Sequence, residues 1–395
     1  MKKTAANKSR KGNGSILMLS MLMVAVFFSM AARAIFSPIM PSLQSDLGLS
    51  LAAAGALFLY ISVSYAVAIL LAGFLTARIG HGLTIVVSLA LIAIGLLISA
   101  LAPGVALIAV GMIFIGAGAG LYPPSGIAMV NRKISPPKRT IAFAFHEISP
   151  NFALLLSPLM VLAAQPFIGW RGVLLVMSAI CGIATLAFWR WGATDSGVGA
   201  APNFSTIGII LKMRGTYVGM IVLSAAAAGL HGVYAILPAY LVDQSTHSIQ
   251  EVNSLLVASR LASIVFLLFA GVLVNLIGKR NTINWALIFT CVCTAMIGFL
   301  QGTLLDIVII AQPALVAAMI PPLLSSVAEI GESSYQNITY GLIITVGISV
   351  GAGIVPAVLG IFGDVGLGWL GFVCLGGFMM TAVGSMILTP EFGKT

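Results

Sequence analysis

The second half of this chain repeats the first at a fixed distance. Gly73 and Gly80 recur as Gly271 and Gly278, 198 positions further on. At the same offset Pro123-Pro124 recurs as Pro321-Pro322, and Pro158 as Pro356. Trp170 and Gly172 recur one step out of register as Trp369 and Gly371. Glycine and proline are the residues that bend, end or crowd a helix. Their recurrence at one offset limits the fold to two copies of one helical unit joined in tandem.

The residues between these landmarks set the solvent of that unit. Of 395 residues, 60% are hydrophobic and 7% charged, whereas a water-soluble domain carries roughly a quarter charged residues. Lipid is therefore the expected surrounding. A membrane span needs about 20 mostly apolar residues. Twelve such runs fit, near 15–43, 50–77, 82–102, 105–131, 140–165, 171–192, 215–242, 252–277, 282–301, 304–328, 334–362 and 367–389. Lipid offers backbone N–H and C=O groups no partner, so each run is predicted to be helical; the runs are too long for barrel strands. The expected fold is an all-α membrane protein of twelve transmembrane helices: a six-helix bundle over 1–192, a linker over 193–214 and a second six-helix bundle over 215–395. Cys181, Cys291, Cys293 and Cys374 lie in apolar runs and read as packing residues. No disulfide, metal site or cofactor is expected.

Basic residues order the loops. Lys2, Lys3, Lys8, Arg10 and Lys11 precede a run ending in Ala32-Arg33-Ala34, a pattern like that of a cleaved signal peptide. Cleavage would break the six-plus-six repeat, so the run is read as the first span. With the amino terminus in the cytoplasm, sixteen of the nineteen Lys and Arg fall on the cytoplasmic side, while Asp46, Arg171, Asp243, Glu251, Asp306 and Asp364 fall outside. This is the positive-inside pattern. It predicts a multi-pass inner-membrane protein with both termini cytoplasmic. It also accounts for the net charge of +9 without a nucleic-acid partner. The sequence holds no G-x-x-x-x-G-K-[S/T] phosphate loop and no metal cluster or assembled nucleophile–base pair that would argue for an enzyme.

One motif sits between the second and third spans and again between the eighth and ninth. The first copy reads Gly73-Phe-Leu-Thr-Ala77-Arg78-Ile-Gly80-His81, and the second Gly271-Val-Leu-Val-Asn275-Leu-Ile-Gly278-Lys279-Arg280. In these residues and in its twelve spans the chain resembles the major facilitator superfamily, whose motif is G-x-x-x-D-R-x-G-R/K. The resemblance implies two rocking bundles around a central site. It makes Gly73, Arg78, Gly80, Gly271 and Gly278 the conformational motif, with the glycines allowing close helix approach and tight turns. Ala77 stands where the family has Asp, which removes the charge contact the family builds there. The fourth span (Met112 to Gly118) lacks the Arg and Gln of the drug–proton antiporters, and the fifth (Pro150 to Pro158) lacks their glycine.

Charge at bilayer depth is costly, roughly 2.5–3.5 kcal/mol for Arg on lenient scales, so such residues face a cavity or a partner. Arg33 and Arg260 each lie roughly 6 Å from the midplane on the same side. Ser29 and Ser37 share a helical stripe with Arg33, and Asn253 and Ser263 share a face with Arg260. A guanidinium stays charged when desolvated and matches a carboxylate or phosphate with paired donors. The alternative is that each Arg is neutralised within the protein, for example by Glu147. The resemblance adds that several organic-anion facilitators use an Arg in the eighth helix and organophosphate exchangers one in the first. His146 and Glu147 lie in the fifth span, and Glu147 shares a face with Asn151. Glu147 is either a proton carrier or a latch to a cytoplasmic Arg, and His146 either a packing residue or a second carrier. His231, with Tyr234 one turn on, lies just before Pro238 in the seventh span. Tyr60, Tyr65, Tyr122, Gln312, Asn337 and Tyr340 are further polar candidates, Tyr122 because Pro123-Pro124 frees carbonyls beside it. Gly116-Ala-Gly118-Ala-Gly120 and Gly347-x-x-x-Gly351 read as close-packing faces.

The function expected is secondary active transport of a small organic anion, a carboxylate, by alternating access with proton coupling. Arg33, Arg260, His231, Tyr234, Tyr122, Asn151 and Tyr60 would bind the substrate, and Glu147 and His146 would carry the proton. The expected partners are the anion, protons and the lipid bilayer, and the chain is expected to act as a monomer. Anion exchange and multidrug or metabolite efflux are the alternatives.

Overall fold

The computed structural model describes residues 2–135, 139–192, 207–244, 247–331, 336–389 and 391–393. The side chains of residues 2–15 and of Thr140, Ala144, Glu147 and Asn337 lie outside the described residues. The chain opens in α1 (Lys2–Ala34) and α2 (Phe36–Leu47), followed by α3 (Leu51–Leu101), α4 (Val105–Lys133) and α5 (Arg139–Ala187). A π segment, Phe188–Gly192, continues α5. The short α6 (Ile207–Ile210) leads to α7 (Arg214–Ala227), a π segment at Ala228–Gly232, and α8 (Val233–Gln244). α9 (Ile249–Ile277), α10 (Lys279–Ile297), α11 (Gly302–Ala328) and α12 (Gln336–Ile348) come next. A third π segment, Ser349–Ile354, joins α12 to α13 (Val355–Asp364), and α14 (Gly368–Ile387) ends the bundle.

Among the described residues, nine stretches are long and apolar enough to cross a membrane. Two of them, Leu51–Leu101 and Ile141–Gly192, are about twice the length a bilayer needs. Each breaks at a glycine with positive φ, Gly80 at 79° and Gly169 at 66°, a conformation that side-chain-bearing residues avoid. The neighbouring α4 shows that α3 doubles back. Gly116 lies against the Ile61 carbonyl and Gly118 against the Ser88 carbonyl, so two distant turns of α3 flank one turn of α4. Counting each long stretch as two spans and adding α10 gives the twelve crossings that the sequence predicts.

The repeat is a repeat of geometry. Gly278 has φ 85° and ψ 157°, against 79° and 166° at its counterpart Gly80. Thr84 donates its hydroxyl to the Gly80 carbonyl at 2.7 Å, and Thr282 to the Gly278 carbonyl at 2.9 Å. A long-range contact recurs at the same offset. Ser178 Oγ donates to the Ala93 carbonyl at 2.8 Å in one half, and Cys291 Sγ donates to the Gly376 carbonyl at 3.1 Å in the other. The glycine faces of α4 and of the α12–α13 span pack closely, Gly120 against the Tyr65 carbonyl and Gly351 against the Ala228 backbone. Gly271 departs from the expected close approach. A side chain there would meet nothing within 4 Å.

The two ends of the bundle differ in chemistry. At one, Asp46 pairs with Arg171, His247 with Asp306 at 3.0 Å, and Ser248 forms a capping box with Glu251. This is the acidic end. At the other, the basic end, Lys279 pairs with Glu329 at 3.0 Å, and Arg280 donates to the carbonyls of Met386 and Thr389. The halves meet along a seam that runs inward from the acidic end. There Asp364 accepts hydrogen bonds from Leu51 N at 2.8 Å and Ala52 N at 3.0 Å. Ser37 Oγ donates to the Tyr234 carbonyl, and Asn253 Nδ2 to the Pro38 carbonyl at 3.4 Å. Gly55 and Gly360 bring backbone against backbone on the same seam, Gly55 at the Pro356 carbonyl and Gly360 at the Leu51 carbonyl.

Candidate functional site

The site grows out of an irregularity in the seventh span. Over Ala228–Gly232 the backbone follows a π helix, whose wider turn loosens the regular carbonyl ladder. Carbonyls freed inside a membrane need other donors, and side chains of two neighbouring helices supply them. Gln312 Nε2, on α11, donates to the Gly229 carbonyl at 3.1 Å and to Thr294 Oγ1 at 3.2 Å. Arg260 Nη2, on α9, donates to the Leu230 carbonyl at 3.3 Å.

That one long bond leaves most of the guanidinium unanswered. Arg260 is 3% exposed, and its Nε and Nη1 are buried without a hydrogen-bond partner among the described residues. Its plane covers the ring of Tyr234 at 4.2 Å. Leu256, Ser259, Tyr234 and Gln312 enclose it around a cavity of about 10 Å³, room for about one water. The Tyr234 hydroxyl is likewise buried and unbonded among the described residues.

Arg33, half-buried in the other half, repeats the stacking of a guanidinium on a tyrosine. It ends α1, donates Nε to the Ser29 carbonyl at 2.9 Å, and lies over the ring of Tyr65 at 4.6 Å. Among the described residues no carboxylate lies within ion-pair distance of Arg33 or Arg260. The two are joined by packing: Ala34, beside Arg33, shares a buried cluster with Tyr234, Leu154 and Leu256. His231, in the π segment, is within electrostatic reach of both guanidiniums. The structure thus brings Arg33, Arg260, His231 and Tyr234 to one level. The serines that share helix faces with the arginines bond to backbone instead, Ser29 to the Ala119 carbonyl, Ser37 to the Tyr234 carbonyl and Ser263 to the Ser259 carbonyl.

Tyr122 and His146 sit elsewhere. Their side chains meet at 2.7 Å, and Tyr122 Oη also donates to the Leu22 carbonyl at 2.8 Å. Leu22 precedes Arg33 by eleven residues on α1, about 16 Å along the axis. The two rings stack with centroids 5.8 Å apart and tie α4 and α5 to α1 nearer the basic end. Tyr60 is 46% exposed. It stands about 140° around the helix from Tyr65, the tyrosine that meets an arginine. Asn151 is half-buried on α5, one turn from Leu154. The Glu147 side chain lies outside the described residues, but its place on α5 is seven residues before Leu154, about 10 Å toward the basic end. Gly73 and Arg78 lie on the last turns of α3 before Gly80, and the Arg78 side chain is exposed. The part of Tyr65 in covering Arg33, and the cross-half bond of Asp364, carry no local sequence signal. Both depend on partners brought in by the fold.

Comparison with known proteins agrees with this architecture. The model of the Major Facilitator Superfamily matches residues 22–245, and the chain belongs to that family of membrane transporters. No curated protein matches the chain in sequence. Among solved structures it is similar to a bacterial homolog of the human lysosomal transporter Spinster in an inward-facing, unoccupied conformation, with a TM-score of 0.79 at 12% identity over 96% of this chain and 98% of that one. The same homolog in an occupied conformation gives 0.74 at 12% identity, covering 95% and 96% of the two chains. The nucleoside transporter NupG gives 0.75 at 12% identity, covering 94% and 99%. At such identity the likeness is one of fold.

Proposed function

We propose that this protein carries a small organic anion, a carboxylate, across the inner membrane by alternating access, coupled to protons. The observation that carries the reading is Arg260, a buried cation with two unbonded nitrogens beside a small cavity. A buried charge without a partner is costly, and a guanidinium is built to receive a carboxylate. Arg33 approaches the same level from the other half, so an anion held by both would couple the rocking of the six-helix units 1–192 and 215–395 to its own binding. The basic end faces the cytoplasm by the positive-inside rule. Glu147, displaced toward that end, carries the coupling proton, and the protein works as a monomer. The nucleoside transporter and the bacterial Spinster homolog of similar fold share too little sequence with this chain to transfer a substrate.

The test is uptake into proteoliposomes of labelled mono- and dicarboxylates under an imposed pH gradient. Wild-type protein should accumulate at least one of them, and collapse of the gradient should stop accumulation. Arg260→Lys keeps the charge but loses the planar fork. It should insert normally and lose most transport; uptake at the wild-type rate in that variant would sink the reading.

A further inference from the structure

Resting on the anion reading above, the geometry points to a substrate that brings two negative charges to the site as a single molecule, a dianion with two separated acidic groups. Two guanidiniums stand at one level, one from each half, each stacked on its own tyrosine, Arg33 on Tyr65 and Arg260 on Tyr234. Guanidinium does not give up its proton in proteins, so the level carries two positive charges. The other titratable groups there are His231, Tyr65 and Tyr234. None of them is a carboxylate, and a tyrosine ring face attracts a cation only weakly. Glu147 stands two helical turns away along α5, and neither arginine has an ion-pair partner among the described residues. A monoanion would leave one of the two cations inside the bundle uncompensated, whereas a dianion neutralises both.

Form follows charge. The arginines belong to opposite halves and each already leans on its own ring. One acidic group per guanidinium fits better than both on a single atom. The cavity of about 10 Å³ beside Arg260 is lined by the second half alone and is smaller than such a molecule, so binding has to widen the space between the two arginines. An anion that bridges the two arginines would then draw the halves together again.

The experiment compares acids with their own half-amides. Purified full-length protein in detergent, free of phosphate and sulfate, is titrated with succinate, glutarate and adipate and with the corresponding monoamides, and binding is read as a rise in melting temperature. The diacid of at least one pair should bind about tenfold or more tighter than its monoamide. Arg33→Gln and Arg260→Gln should each erase that preference, so that acid and monoamide bind alike. Arg33→Lys and Arg260→Lys, which keep the charge, should weaken binding but preserve the preference, and they also guard against loss of fold. Monoamides that match their diacids in the wild type, or two monoanions bound per chain, overturn the dianion proposal while leaving an anion site standing. Absence of any response to diacid or monoamide overturns the anion reading itself.

Discussion

The carboxylate of Asp364, at the end of α13, accepts from the backbone N–H of Leu51 at 2.8 Å and so caps a helix that belongs to the other half of the molecule. The second oxygen takes Ala52 N at 3.0 Å, while Ser50 caps the same helix from within its own chain segment through Ala53 N. Helix amino ends expose unpaired N–H groups and a partial positive charge. Separation of the halves at the acidic end must therefore return these groups to water.

Removing the carboxylate should loosen that end. Loss of a cap costs about 0.5–2 kcal/mol, which shifts an open–closed ratio by about 2–30-fold. In a cysteine-free background, Ser62→Cys places a thiol at a seam position that is 3% exposed. Asp364→Ala should speed its reaction with an impermeant thiol reagent by a factor in that range. Asp364→Asn, which retains an acceptor, should have a smaller effect. Equal labelling rates in all three backgrounds would mean that the cap does not hold the seam.

A methyl group should act on the same equilibrium through volume. A Cβ at position 360 would run into the Leu51 backbone carbonyl, which cannot swing aside as a side chain can. Overpacking of this kind costs about 1–3 kcal/mol. Gly360→Ala should therefore favour separation of the seam, visible as a longer distance between spin labels placed on Ala52 and Phe362. An unchanged distance distribution would show that α13 yields locally instead.

Arg260 offers a test in the absence of any substrate. Its stacking on Tyr234 contributes about 0.5–2 kcal/mol, whereas an unpaired buried charge costs several kcal/mol. The second effect is larger, so Arg260→Met should melt at a higher temperature than the wild type in ligand-free buffer, and a diacid should stabilise it no more than the matching monoamide. A lower melting point would mean that the guanidinium serves mainly to hold the π segment through Leu230.

Tyr122 predicts the opposite pattern. Its hydroxyl bonds the Leu22 carbonyl and the His146 ring, far along the helix axes from the arginines. Tyr122→Phe should lower the melting temperature by the loss of about 1 kcal/mol while leaving carboxylate binding as it was. A double-mutant cycle with His146→Ala should show coupling of about 0.5–3 kcal/mol between the two. Loss of ligand binding in Tyr122→Phe would instead extend the substrate path down to this pair.

The scaffold was legible in the sequence because its determinants are local. A run of apolar residues must become a helix in lipid whatever its neighbours are. Gly80 and Gly278 are needed at tight turns wherever the helices lie, and the small-residue face of α4 announces close packing by composition. The partners inside the site were less legible. Arg33 and Arg260 stand out because a charge in a span needs an explanation, but nothing near Tyr65 says that it, and not Tyr60, meets Arg33. The π segment at Ala228–Gly232 has no sequence mark of its own, yet it turns His231 and frees the carbonyls that hold Gln312 and Arg260. Tyr122 and His146 belong to adjacent spans, and only tertiary packing shows that they bond to one another.

The contact between Ser178 and Ala93 has a counterpart between Gly376 and Cys291, in which donor and acceptor have exchanged places. Kinship between the halves therefore survives at positions where the letters differ, Ser178 against Gly376 and Ala93 against Cys291. A residue-by-residue comparison would score these positions as unrelated. In descent from a common ancestor, the junction between two helices was inherited, and the side chain that closes it was free to change sides.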